Sequence, residues 1–162
     1  MASLNFDDGQ KRYEVNNSGV YFTFNPTDPN MAGRFFDFYN NLEANLKALS
    51  ERVSRECQAW VDAEDSEEKD KAVELLDQAE RELDREVKEK LQEVFGYSND
   101  FDAIFAGASI LAPTKNDGTT VLVGFLEAAA RIILDETKAI KKAQTEKINK
   151  AIKKTKTRRN KG

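Results

Sequence analysis

The sequence predicts a mainly α-helical protein. A small N-terminal β-hairpin or meander comes first, then a long antiparallel helical hairpin, then a C-terminal helix. Three observations carry this. Residues 20–24 are β-branched and aromatic. Apolar residues then recur at spacings of three and four from Phe35 to Trp60 and again from Val73 to Val94. Finally, a polar break at Ala63-Glu64-Asp65-Ser66 separates the two stripes.

The first 25 residues read as two or three short strands. Leu4 and Phe6 precede a turn-forming Asp7-Asp8-Gly9-Gln10. Arg12-Tyr13-Glu14-Val15 alternates apolar and polar positions, and Asn16-Asn17-Ser18-Gly19 tolerates the positive φ of a tight turn before Val20-Tyr21-Phe22-Thr23-Phe24. So few strands are unstable alone and must lay one face on the helices.

Thr27 or Asp28 is placed to cap a helix with Pro29 in its first turn, where the missing N–H costs nothing. This helix is predicted to run to about Ala63 as one element. Its stripe is Phe35, Phe38 or Tyr39, Leu42, Leu46, Leu49, Val53, Cys57 and Trp60. Phe35, Phe36 and Phe38 exceed one helical face, so one of this cluster is a candidate exposed anchor. Ser66 is the expected N-cap of the second long helix, whose stripe is Val73, Leu76, Ala79, Leu83, Val87, Leu91 and Val94. Two narrow seams joined by a short turn approach an antiparallel coiled coil and give a basis for homo-oligomer formation.

Gly96 ends the second helix, and Asn99 or Asp100 is positioned to cap a short turn carrying Phe101, Ile104 and Phe105. Gly107 to Gly118 reads as loop. Thr119 or Thr120 opens the last helix, with Leu122, Phe125, Leu126, Ala129, Ile132, Ile133 and Ile140 apolar, and residues from Thr155 onward are expected to fray.

The charge is divided unevenly. The net charge is −4, but Lys138 to Gly162 holds eleven Lys/Arg and one acid, whereas the preceding residues hold fourteen Lys/Arg and 28 Asp/Glu. The expected division is an acidic body over 1–137 and a basic helical arm over 138–162. The arm's Lys141, Lys142, Lys150, Lys153, Lys154, Arg158 and Arg159 can meet nucleic-acid phosphates or an acidic protein surface, or serve only solubility. The arm has no aromatic residue for base stacking, and no Trp, Phe or Leu to insert into a membrane.

Composition narrows the chemistry. The chain has no histidine and a single cysteine, Cys57, which its place in a seam marks as a small core residue. Zinc sites and Ser-His or Cys-His nucleophiles lack their residues. Asp62, Glu64, Asp65, Glu67, Glu68 and Asp70 lack the alternating spacing and central glycine of a calcium loop. Neither G-x-x-x-x-G-K-[ST] nor G-x-G-x-x-G occurs. The expectation is a binder without cofactor or metal rather than an enzyme. The N-terminus MASLNFDDGQ has no basic region followed by an apolar run, and Gly124, Glu127 and Arg131 interrupt the most apolar stretch, Val121–Leu134, so the expected compartment is a cytoplasm.

The order of features carries a resemblance. A β-hairpin ending in Val20-Tyr21-Phe22-Thr23-Phe24-Asn25-Pro26-Thr27-Asp28-Pro29 leads into an Arg34-Phe35-Phe36 helix. A charged coiled helix follows, then Phe101-Asp102-Ala103-Ile104-Phe105-Ala106-Gly107, a Gly-containing loop and Phe125-Leu126-Glu127. Over roughly residues 12 to 140 this resembles the small tail assembly chaperone-like proteins of siphophages of Gram-positive bacteria, encoded near the tape-measure gene. The acidic helix from Ser66 to Phe95 and the basic tail go beyond that pattern. The resemblance implies a non-catalytic protein of the host bacterial cytoplasm that coats the helical tape-measure protein and recruits tail-tube subunits. The expected partner surface is then Phe95, Phe101, Ile104 and Phe105 with Phe125 and Leu126. Two other readings stand beside it: a nucleic-acid-associated small protein using the basic arm, and a phage inhibitor of a host defence factor whose acidic helices mimic nucleic-acid charge.

Overall fold

The hairpin forms where β-branched and aromatic residues flank a turn that needs positive φ. In the computed structural model, which describes residues 2–115 and 117–161 (the backbone alone at 43, 45, 46, 48, 49, 160 and 161), Asn16, Asn17 and Gly19 have φ of 50°, 54° and 77°. They join β1 (Lys11–Glu14) to β2 (Tyr21–Phe24), antiparallel with Tyr13 opposite Phe22 and Lys11 opposite Phe24. The period-2 alternation buries Phe22 and Phe24 and exposes Tyr21, over which the Arg12 guanidinium stacks at 4.0 Å. Leu4 and Phe6 form no strand and are exposed. Their turn does form, with the Asp7 and Asp8 carboxylates accepting the N–H groups of Gly9 and Gln10.

Asp28 caps α1 (Pro29–Asn40) by accepting the Asn30 N–H, with Pro29 at the first position. The single helix expected to reach Ala63 is two. Asn41 leaves helical geometry, and its backbone N–H and side-chain amide both bond to the Asp37 carbonyl, before α2 (Leu42–Asp62) begins. Met31, Phe35 and Phe38 form the buried face of α1, Phe36 is half-buried, and Tyr39 is the exposed member of the aromatic cluster.

α2 packs antiparallel on α3 (Ser66–Phe95). The N-cap of α3 is Asp65, one residue before the expected Ser66: its carboxylate accepts the Glu68 N–H while the Glu68 carboxylate accepts the Glu64 N–H. From Ala79 onward the predicted stripe faces inward, through Leu83, Val87, Leu91 and Val94. Toward the tip it does not, since Ala72 is buried in place of Val73 and Trp60 and Cys57 are exposed. The small Ala72 is enclosed there, while Trp60 and Val73 turn outward. The expected positions of Leu46 and Leu49 in the seam lie outside the described residues. Arg34 bonds through Nε and a terminal guanidinium nitrogen to the Val94 carbonyl, so a cation closes the C-terminal end of α3 against α1.

Gly96, at φ 118°, releases the chain from α3. Asp100 caps the single turn α4 (Phe101–Ile104) by accepting the Ala103 N–H. Asn99 is buried and bonds to both backbone groups of Thr23 in β2. A loop held by a Pro113–Thr120 bridge leads to α5 (Val121–Lys161). Its carboxylate Asp117 accepts from the Thr119 hydroxyl and N–H, which hold its pKa below the usual value. The Thr120 hydroxyl accepts the Val123 N–H at the start of α5. Leu122, Leu126, Ala129 and Ile133 bury one face of this helix in the common core. The helix continues to Lys161, past the fraying expected at Thr155, because its sequence contains no Gly or Pro beyond Gly124. No helix among the described residues is long and apolar enough to cross a membrane.

Candidate protein-binding site

The six residues expected to form a partner surface are mostly core. Phe95, Phe101, Ile104, Phe105 and Leu126 are buried, and Phe125 is half-buried. The expected surface is therefore corrected: these side chains make the contacts that close the hairpin, α3, α4 and α5 on one another. Phe125 is the hub. Its ring meets Phe22, Phe95, Phe101 and Phe105 at centroid distances of 5.2, 5.8, 5.7 and 5.3 Å, each at 72° or more to its plane. Edge-to-face packing sets the positive ring edge on the negative face and adds about 0.5–1.5 kcal/mol per pair to the burial itself.

The outer side of this cluster forms a groove. A cavity of about 460 Å³ lies between the hairpin, the end of α4 and the first half of α5, and Ile104, Phe105 and Phe125 line it. Three of the six expected residues thus border one cavity. Leu126 lines a separate cavity of about 500 Å³ beside Tyr39 and Leu42, and Phe95 and Phe101 line neither.

Sequence reasoning missed the other walls of the groove. Tyr13, Val15 and Phe22 come from the hairpin, and Val121, Ala128 and Ile132 from α5. A usable signal was present: Ala128 and Ile132 flank the buried Leu122–Ile133 stripe, where a helix borders its core. The Tyr13 hydroxyl is buried without a hydrogen-bond partner, and burial, with the Glu136 charge acting in the same direction, pushes its pKa above the usual tyrosine value. The Lys11 ammonium bonds to the Glu136 carboxylate at 2.7 Å and so ties the hairpin to α5 along one side of this region. That hydrogen bond raises the Lys11 pKa against the small opposing effect of burial.

A polar node lies apart from the residues that line the groove. Lys88 Nζ reaches Asp84 at 2.6 Å, Asp102 at 2.8 Å and the Ala108 carbonyl at 3.3 Å, and the other Asp84 oxygen accepts the Ile110 N–H at 2.8 Å. One side chain of α3 thereby fixes both α4 and the loop that follows it.

The basic arm is a second, separate feature. Lys141, Lys142, Lys150, Lys153, Lys154, Arg158 and Arg159 are all exposed on α5, and Thr137 is the last half-buried position before 138–159, which is exposed throughout. Among the described residues no group of three or more Asp, Glu or Cys is placed to hold a metal ion. Chemically, the groove offers apolar surface with a polar rim at Glu14 and Asn16, and the arm offers cations. Comparison with protein-family models, curated proteins and solved structures finds no match.

Proposed function

We propose that the protein is a non-catalytic binding protein that takes an apolar helical segment of its partner in the groove between the hairpin and α5. In its most specific form, it is a phage tail assembly chaperone that holds the tape-measure protein and recruits tail-tube subunits. The observation that supports the reading is the groove itself: about 460 Å³ of space walled by Phe105, Phe125, Val121 and Ile132, on rigid elements, with polar residues at the rim. Such a site suits a helix-in-groove contact in which spaced apolar side chains anchor an amphipathic partner. A tape-measure protein exposes such stripes before the tube polymerises around it. The choice of that partner rests on the order of sequence features from Val20-Tyr21-Phe22 to Phe125-Leu126-Glu127.

Co-expression with the tape-measure protein and pull-down tests the reading. Ala128 is exposed on α5 and lines the groove, so Ala128→Arg fills the groove while leaving the core intact. A soluble complex with the wild type that Ala128→Arg abolishes is the expected result. A complex unaffected by Ala128→Arg, or no gain in tape-measure solubility, argues against it.

A second reading, nucleic-acid association through the arm, is favoured by the unbroken exposure of residues 138–159. Gel-shift titration across salt separates the two, since phosphate contacts give affinity that falls steeply with salt concentration.

A further inference from the structure

We propose that the basic arm of one copy docks along the acidic distal end of the α2–α3 hairpin of a second copy, in a head-to-tail contact. The arm's own sequence calls for an anionic partner. Like charges recur one helical turn apart at Lys138 and Lys142, Lys150 and Lys154, and Lys154 and Arg158, against a single acid, Glu146. Such i,i+4 pairs oppose an isolated helix by a few tenths of a kcal/mol each. A solvated helix of this length has little reserve to absorb them. The arm also carries an uncovered apolar face: Ile148 and Ile152 are 59% and 49% exposed. They stand one turn apart and share a side of the helix beyond its buried portion.

The hairpin tip is the complement of this surface. Residues 56–77 hold nine carboxylates and two lysines. They also present apolar side chains to solvent, with Trp60 43% and Val73 49% exposed. At the tip a cavity of about 270 Å³ is lined by Ala59, Ala72 and Leu75 beside Asp62, Glu68 and Lys71. The arm is long enough to span the exposed part of α3. The main core takes α3 only from Leu83 onward, leaving Ser66–Glu82, about 25 Å of helix, beyond it, and 138–159 spans about 33 Å. The arm does not lie on its own hairpin, because every position from 138 to 159 is exposed. Arm against arm would bring two strongly cationic helices together. Among contacts of this chain with itself, this leaves the acidic hairpin of another copy, a heterologous contact in which each chain gives one arm and one hairpin.

Sedimentation of the nuclease-treated full chain tests this, with charge-reversal variants. The arm variant is Lys150→Glu, Lys153→Glu and Lys154→Glu. The hairpin variant is Asp62→Lys, Asp70→Lys and Glu74→Lys. Wild type is expected at twice the 18.3 kDa monomer mass or more at about 0.01 M salt, where charges act over roughly 30 Å, and as monomer at about 1 M, where they act over roughly 3 Å. Each variant alone is expected to stay monomeric with wild-type helical circular dichroism. Mixing them at equal concentration restores association, because the intact arm of the hairpin variant then meets the intact hairpin of the arm variant. A monomeric wild type at low salt overturns the proposal, as do variants that associate like wild type or a folded pair that fails to associate on mixing. Retarded duplex DNA with a monomeric free chain overturns it in favour of a nucleic-acid role for the arm.

Discussion

Asn99 occupies the place a third strand residue would take beside Thr23. Its Oδ1 accepts the Thr23 N–H at 2.9 Å, and its Nδ2 donates to the Thr23 carbonyl at 2.8 Å. The Asn99 carbonyl in turn accepts from the Gln92 side chain at 2.9 Å. A two-stranded hairpin leaves the outer backbone groups of β2 unpaired, and burying them against α3 and α4 would leave them unsatisfied. One side-chain amide, presenting a donor and an acceptor side by side, meets both needs and registers the hairpin on the helices.

Asn99→Ala is therefore expected to destabilise by about 2–3 kcal/mol, because it strands a buried donor and a buried acceptor together. Urea denaturation measures this. Asn99→Asp keeps the acceptor for the Thr23 N–H but sets a second carboxylate oxygen against the Thr23 carbonyl. Its deficit should be largest at neutral pH and shrink on acidification, once the protonated carboxyl can donate where Nδ2 did. A deficit that does not depend on pH would mean that Asn99 acts by shape alone.

Leu126→Ala and Phe101→Ala are expected to cost about 3–5 kcal/mol each, since both side chains are fully enclosed in the core that joins the hairpin, α3, α4 and α5. Thermal melts check this. A loss of partner binding without loss of stability would restore them to the surface role that their sequence pattern implied.

Local chemistry was legible to within a residue: Asp28, Asp100 and Thr120 each act as one of the two candidates at their helix start, Gly96 ends α3 after Phe95, and the α3 cap falls on Asp65 rather than Ser66. Periodicity placed Leu83 to Val94 inward. It failed for Cys57, Trp60 and Val73, because at the hairpin tip only α2 and α3 meet, and small residues such as Ala72 suffice there. The break at Asn41 was hidden because a side chain competing for the Asp37 carbonyl leaves the apolar spacing unchanged. An aromatic cluster reads alike whether it is a surface or a core. The groove joins Tyr13 to Ile132, a pairing fixed by tertiary packing rather than by any local pattern.

Tyr13→Phe is expected to raise the stability of the free protein by about 1 kcal/mol, because it removes a buried hydroxyl that has no partner. If the groove is the partner site, the same change should weaken the complex when the bound segment supplies that missing partner. Differential scanning fluorimetry and titration of the complex read the two effects separately. A gain in stability with unchanged affinity would show that the bound segment does not reach the hydroxyl.

Lys88→Met should cost about 2 kcal/mol, less than a fully buried ion pair because Asp102 is open to solvent. The cost should also depend on pH. Burial alone lowers the Lys88 pKa, but hydrogen bonds to Asp102 and Asp84 outweigh it, so the folded value lies above that of the unfolded chain. A raised folded pKa gives stability that is fully present below the unfolded value and is lost as pH rises through the folded one. The advantage of wild type over Lys88→Met should thus be constant from about pH 7 to 9 and fall beyond about pH 10.5, measured as the difference between urea midpoints. An advantage that stays level through the alkaline range would mean that Lys88 holds α4 through its aliphatic stem against Phe105, not through its charge.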